Sequence, residues 1–154
     1  MHAWCHMRNH FHLAVETPLA NLVAGMKWFL GAYTIRFNAR HRVRGHLFAG
    51  RYKSLIVDDR DPHYLRVVCD YIHLNPSRAG LLKREESLAA YPWSSHPGYL
   101  EKPADRANWL RTDRLLGEHG IRRDNRQGRL EFANRMEKIR QEESAEAEYG
   151  EIRR

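Results

Sequence analysis

Residues 2–7 and 10–16 read as two short strands joined by Arg8-Asn9, and Thr17-Pro18 ends the second. Successive side chains on a strand point to opposite faces, so His10 and His12 lie side by side while Phe11 turns away from them. The chain therefore begins in a sheet, and that sheet offers two imidazoles to one divalent ion. Cys5 and His6 also invite a zinc reading. They point to opposite faces of their strand, however, and no second cysteine lies close in sequence.

The period then changes. Asn21 is placed to cap a helix in which Leu22, Met26, Phe29 or Leu30, Tyr33 and Phe37 recur at helical spacing through Asn38. That stripe is expected to pack into the core. Residues 38–46 form a basic loop, and Leu47–Val57 reads as a further strand with a break at Gly50. Asp61-Pro62 starts a second helix, since proline suits a first helical turn, and Pro76 is expected to stop it at Asn75. Leu65, Val68 and Ile72 mark its buried face. Beyond Gly80 the pattern loosens into an aromatic-rich loop at 91–99, short helices at 109–117 and 128–139, and an acidic end from about Gln141 that reads as a frayed helix or a disordered tail.

The 154 residues suit one domain with an appendage. The net charge is +7, and residues 136–154 hold six acids against four bases, which leaves +9 on the rest of the chain. A body so basic points to a polyanion, of which nucleic acid is the commonest. Arg36, Arg40, Arg42, Arg44, Arg51 and Lys53 make the densest basic stretch, with Phe48 and Tyr52 among them. It reads either as a solvated loop or as phosphate contacts with stacking of unpaired bases. Arg78 is placed to approach phosphate or to cap helix carbonyls. The two cysteines, Cys5 and Cys69, sit in apolar segments with no CxxC pair and read as buried free thiols. No apolar run is long enough to span a bilayer.

Tyr71 and Asn75 stand four apart on the second helix, so one face carries both. A tyrosine on a rigid element can attack a phosphodiester if a nearby cation steadies the developing charge. Two imidazoles and an amide oxygen leave positions open for phosphate and water, which suits Mg²⁺ or Mn²⁺.

With these residues in place, the chain resembles the single-tyrosine HUH transposases, in the REP-associated branch of the insertion sequence 200-like family. Five stretches carry the likeness: Asn9–Leu13, Tyr33–Asn38, Gly45–Ser54, Tyr71–Leu81 and Pro92–Ser95. The resemblance implies that His10, His12 and Asn75 hold the metal. It implies that Tyr71 attacks single-stranded DNA, leaving a 5′-phosphotyrosine and a free 3′-OH. It implies hairpin-forming repeats as substrate and the bacterial cytoplasm, at the nucleoid, as the place of work. Arg8 stands where the family usually has proline, and Asp70 where a basic residue is common; Asp70 could repel phosphate or pair with an arginine.

The expected fold is α/β, a ferredoxin-like antiparallel sheet with helices on one face. Family members place a strand and a helix ahead of the histidine hairpin, and nine residues precede His10 here, so the domain is expected to be N-terminally truncated, with a sheet edge left unpaired. The catalytic domain is expected to occupy 1–100, a helical extension 101–140 and an acidic tail 141–154. A DNA-cutting and rejoining enzyme is the first reading; a catalytically silent DNA-binding remnant is the alternative.

Overall fold

The computed structural model describes residues 1–57, 61 and 63–152, with side chains to residue 144. The fold is α/β. Strands β1 (Ala3–His6) and β2 (Phe11–Ala14) are followed by helices α1 (Leu22–His41), α2 (Tyr64–Arg78), α3 (His96–Leu100), α4 (Asp113–Glu118) and α5 (Arg126–Ile152). A 3₁₀ turn at Leu88–Ala90 precedes α3. The chain forms two compact units, one from Met1–Val15 with Val57–Arg154, the other from Glu16–Ile56.

In the first unit β1 and β2 pair antiparallel, with Ala3 opposite Ala14 and Cys5 opposite His12. Ala3, Cys5 and Met7 alternate inward, and with Leu65, Cys69 and Ile72 of α2 they belong to one buried cluster. Leu115 and Leu116 of α4 and Phe132 and Met136 of α5 complete it. Each larger side chain contributes about 1.5–3 kcal/mol on burial. Both cysteines are free and buried as expected. Burial pushes the Cys5 thiol up to about 11. It lifts Cys69 to about 12, with the charges of Asp70 and Glu118 adding to it, so neither is a ready nucleophile.

The outer edge of β1 is covered by a segment far along the chain. Cys5 bridges to Ser94, the His6 N–H donates to the Trp93 carbonyl at 2.8 Å and the Ser95 N–H to the Trp4 carbonyl at 2.9 Å. The Ser95 hydroxyl accepts from the Trp4 N–H at 2.9 Å, donates to the Trp4 carbonyl at 3.2 Å and meets His73 Nε2 at 2.8 Å. One hydroxyl has one proton to give, so when it goes to the Trp4 carbonyl the bond to His73 is donated by Nε2.

Helix α2 begins later and ends later than expected. Asp61 precedes it, its carboxylate accepting from the His63 N–H at 2.9 Å; Pro62 lies outside the described residues. Pro76 lies inside the helix. The stop is Gly80, at φ +64°, with the Leu81 N–H on the Pro76 carbonyl at 2.8 Å and the Gly80 N–H on the Ser77 carbonyl at 3.0 Å. These two bonds make the paired cap that a left-handed glycine permits. A proline within the last turn loses only one bond, and the cap outweighs it.

The second unit departs further from expectation. Helix α1 runs past Asn38 to His41, and Arg42 closes it at φ 53°. Asn21 stands at its N-cap but makes no side-chain capping bond. None of its residues is buried. Its apolar residues are spread around the helix, with Val23, Trp28 and Ile35 more than two-thirds exposed, so no single face gathers them. The expected stripe instead stacks locally: Tyr33 lies 6.2 Å from Phe37 and 5.9 Å from Phe48 between ring centroids. Residues 47–57 form no strand. Gly45 and Gly50 adopt φ +104° and +80°, which turn the backbone away from extension.

The C-terminal part of the first unit is held by Arg106, whose side chain is 7% exposed. Its Nε donates to the Gly98 carbonyl at 2.9 Å, its Nη1 to Asp124 at 2.6 Å and Thr112 at 2.7 Å, and its Nη2 to the Glu101 carbonyl at 2.9 Å. Arg106→Ala removes the donor to the Gly98 and Glu101 carbonyls and to Thr112 and leaves Asp124 with Arg129 alone, and is expected to cost about 2–3 kcal/mol in urea unfolding. A second expectation concerns acid. Burial lowers His96 from 6.5 to about 4; it lowers His73 well below 6.5 too, with His96 and His119 adding to the effect. The unfolded chain therefore binds more protons below neutrality, and stability present above pH 6.5 is lost as the pH falls toward 4. For His96 alone the loss at about pH 5 is about 2 kcal/mol. Urea midpoints at neutral and mildly acid pH should differ accordingly, and less in His96→Leu.

Candidate active site

The Cys5–His12 register places His12 on the face of the hairpin that α2 covers. Along that face Ala14 is buried, His12 half-buried and His10 exposed, so the row runs from core to solvent. Two steps along a strand separate the imidazoles, and their ring centroids stand 4.9 Å apart, edge to face. His10 Nδ1 is 2.8 Å from the Asn9 amide oxygen. Burial, and then the neighbouring His10 charge, lowers the pKa of His12 and keeps its ring neutral at physiological pH, the state in which it can ligate a cation.

Helix α2 carries the other half. Tyr71 is 47% exposed and its ring meets His12 edge-on at 5.8 Å. One turn on, Asn75 is buried and donates through Nδ2 to the Tyr71 carbonyl at 3.0 Å. That bond uses one of the two amide hydrogens and leaves Oδ1 as an acceptor. Two turns on from Tyr71, Arg78 sets its guanidinium 4.7 Å from the Tyr71 ring centroid. The fold thus brings His10, His12, Tyr71 and Arg78 together, with Asn75 on the same helix.

His10 and His12 are the neighbouring imidazoles that could hold a cation between them. Among the described residues no three His, Cys, Asp or Glu side chains converge. Cys5 is buried against the Met7 sulfur at 3.4 Å, which leaves the zinc reading without a ligand set.

Arg36, Arg40, Arg42, Arg44, Arg51 and Lys53 are all exposed and all belong to the second unit. Sequence reasoning missed two partners of the site. Asp70 pairs with a histidine, not an arginine: His119 Nε2 lies 2.9 Å from its carboxylate. Arg78 binds Glu143 of α5 through two bonds, at 3.0 and 2.6 Å. Both partners lie about fifty residues or more away, and only folding brings them near.

Residues 1–75, which contain both histidines, Tyr71 and Asn75, match the family model described as "Transposase IS200 like". A comparison with curated proteins finds no significant match, and neither does one with solved structures.

Proposed function

We propose that this chain is an insertion sequence 200-like transposase of the single-tyrosine, REP-associated branch, which cuts and rejoins single-stranded DNA beside hairpin-forming repeats. The observation that carries this reading is the meeting of Tyr71 with the His10–His12 pair, inside the segment that matches the family model. Tyr71 is the nucleophile. Its oxygen bonds to phosphorus as the bond to the 3′ oxygen breaks, the phenol gives up its proton and the leaving oxygen takes one up. The products are a 5′-phosphotyrosine and a free 3′-OH. The ester keeps the energy of the bond it replaced, so a second 3′-OH can reverse the step.

His10 and His12, with Asn75 through Oδ1, would hold Mg²⁺ or Mn²⁺. Such a cation withdraws charge from a phosphate oxygen and favours attack. Helix α2 fixes Tyr71 in its middle turns, which limits the freedom lost on reaction. The exposed basic residues of 36–53 bind DNA backbone. Among the described residues no helix is long and apolar enough to cross a membrane, and the reading places the chain at the bacterial nucleoid.

Incubation of the full chain with a labelled hairpin oligonucleotide, single-stranded flanks and either metal should give an adduct that survives denaturation. Tyr71→Phe should abolish it. His12→Ala should lose cleavage while DNA binding stays close to that of the parent. Retained binding with no adduct under either metal would identify a silent DNA-binding remnant. Separately, Arg42→Ala combined with Arg44→Ala should make the slope of log affinity against log salt shallower, by roughly 0.7 for each phosphate these side chains neutralise. An unchanged slope excludes a role for them at the DNA backbone.

A further inference from the structure

Arg78 does more than cover Tyr71. Its Nε and Nη2 grip Glu143 Oε2 and Oε1 at 3.0 and 2.6 Å, a two-bond fork that ties the last turn of α2 to α5. The two side chains are 36% and 37% exposed. A cleft of about 480 Å³ opens beside them, lined by Arg66, Asp70, Tyr71, Arg78, Lys138 and Glu143 among others. Asp70 is held by His119, Arg66 donates to the Glu118 carbonyl at 3.4 Å, and Lys138 is loosely paired with Glu142 at 3.7 Å. Arg78 is the cation that touches the tyrosine.

A guanidinium fork fits a phosphate as it fits a carboxylate, with the same pair of N–H bonds. With both side chains about a third exposed, water screens the pair and can stand in for either partner. The ring contact keeps Arg78 beside Tyr71 whichever anion it holds. We infer that this cleft is a phosphate subsite: Arg78 exchanges Glu143 for a phosphate of the bound strand next to the one attacked, and Glu143 holds that phosphate's place in the DNA-free chain. The cleft has the volume of a small-molecule site, room for a nucleotide of a flexible single strand. The inference rests on reading Tyr71 as the nucleophile, and it makes Arg78 a positioning residue.

The test measures equilibrium binding of a labelled hairpin oligonucleotide with a single-stranded flank. All variants carry Tyr71→Phe, which keeps the ring and prevents covalent capture. Glu143→Gln should tighten binding roughly threefold, the order expected for an ion pair of this exposure. With Arg78→Gln also present the same change should have almost no effect. Glu142→Gln removes an equal charge one residue away and should do less than Glu143→Gln. A neutral methylphosphonate stepped along the flank should weaken binding at one position, and that position should fall silent in Arg78→Gln. If Arg78→Gln melts, Arg78→Lys keeps the charge without the fork and takes its place. Equal gains from both glutamates, a Glu143 effect that survives loss of Arg78, or no DNA binding would each overturn the subsite. Coupling without an adduct in the Tyr71 chain would instead overturn the chemistry and spare the subsite.

Discussion

The pairing of Cys5 with His12 is the constraint on which the site depends. Side chains opposite one another in an antiparallel pair share a face, so a buried cysteine on one strand fixes the direction of the histidine on the other. A slip of one residue would send Phe11 and Leu13 into the core and both imidazoles to the far side, away from α2. The cost of turning buried Ala14 outward and forcing the larger Phe11 and Leu13 into a filled core therefore guards the geometry of His10 and His12. Stability and chemistry use one register.

A two-stranded hairpin is marginal alone in water, and this one is supported from outside. Residues 93–95 lie along β1, and the Ser95 hydroxyl joins the Trp4 backbone to His73 of α2. His73 is two residues from both Tyr71 and Asn75. The same serine thus fastens the strand pair and the helix that face each other across the site. His73 pays for its place: Nδ1 is buried without a partner among the described residues, and burial holds the ring neutral. Such a polar node inside a core specifies one arrangement only while all its donors are used.

What the sequence discloses here depends on range. The hairpin is legible because alternation over six or seven residues is a local signal, and so is the Tyr71–Asn75 spacing on α2. The end of α2 escapes a local reading because Pro76 alone suggests a stop, whereas the Gly80 cap depends on two backbone bonds closing together. Leu47–Val57 has strand composition, but extension needs a partner edge and two glycines at positive φ redirect the chain. The α1 stripe has helical spacing, yet Trp28 and Ile35 lie outside it, so periodicity overstates how one-sided the helix is. Glu143 and His119 leave no signal, since nothing local marks a carboxylate or imidazole as the partner of a residue 49 or 65 positions away.

Two carboxylates stand near the tyrosine of a site read as binding a polyanion, and burial separates their roles. Asp70 and His119 have side chains 13% and 4% exposed. In so dry a place an unpaired carboxylate is costly, and Asp70 stays with its histidine. Its carboxylate is therefore fixed by His119 and does not exchange that partner. Glu143 and Arg78 are each about a third exposed, so water can replace either partner at small cost. One acid is fixed structure and the other is exchangeable, although both lie in the same cleft. The exchangeable pair thus includes the guanidinium that touches the tyrosine ring, and on the inference above the arrival of a phosphate would free Glu143.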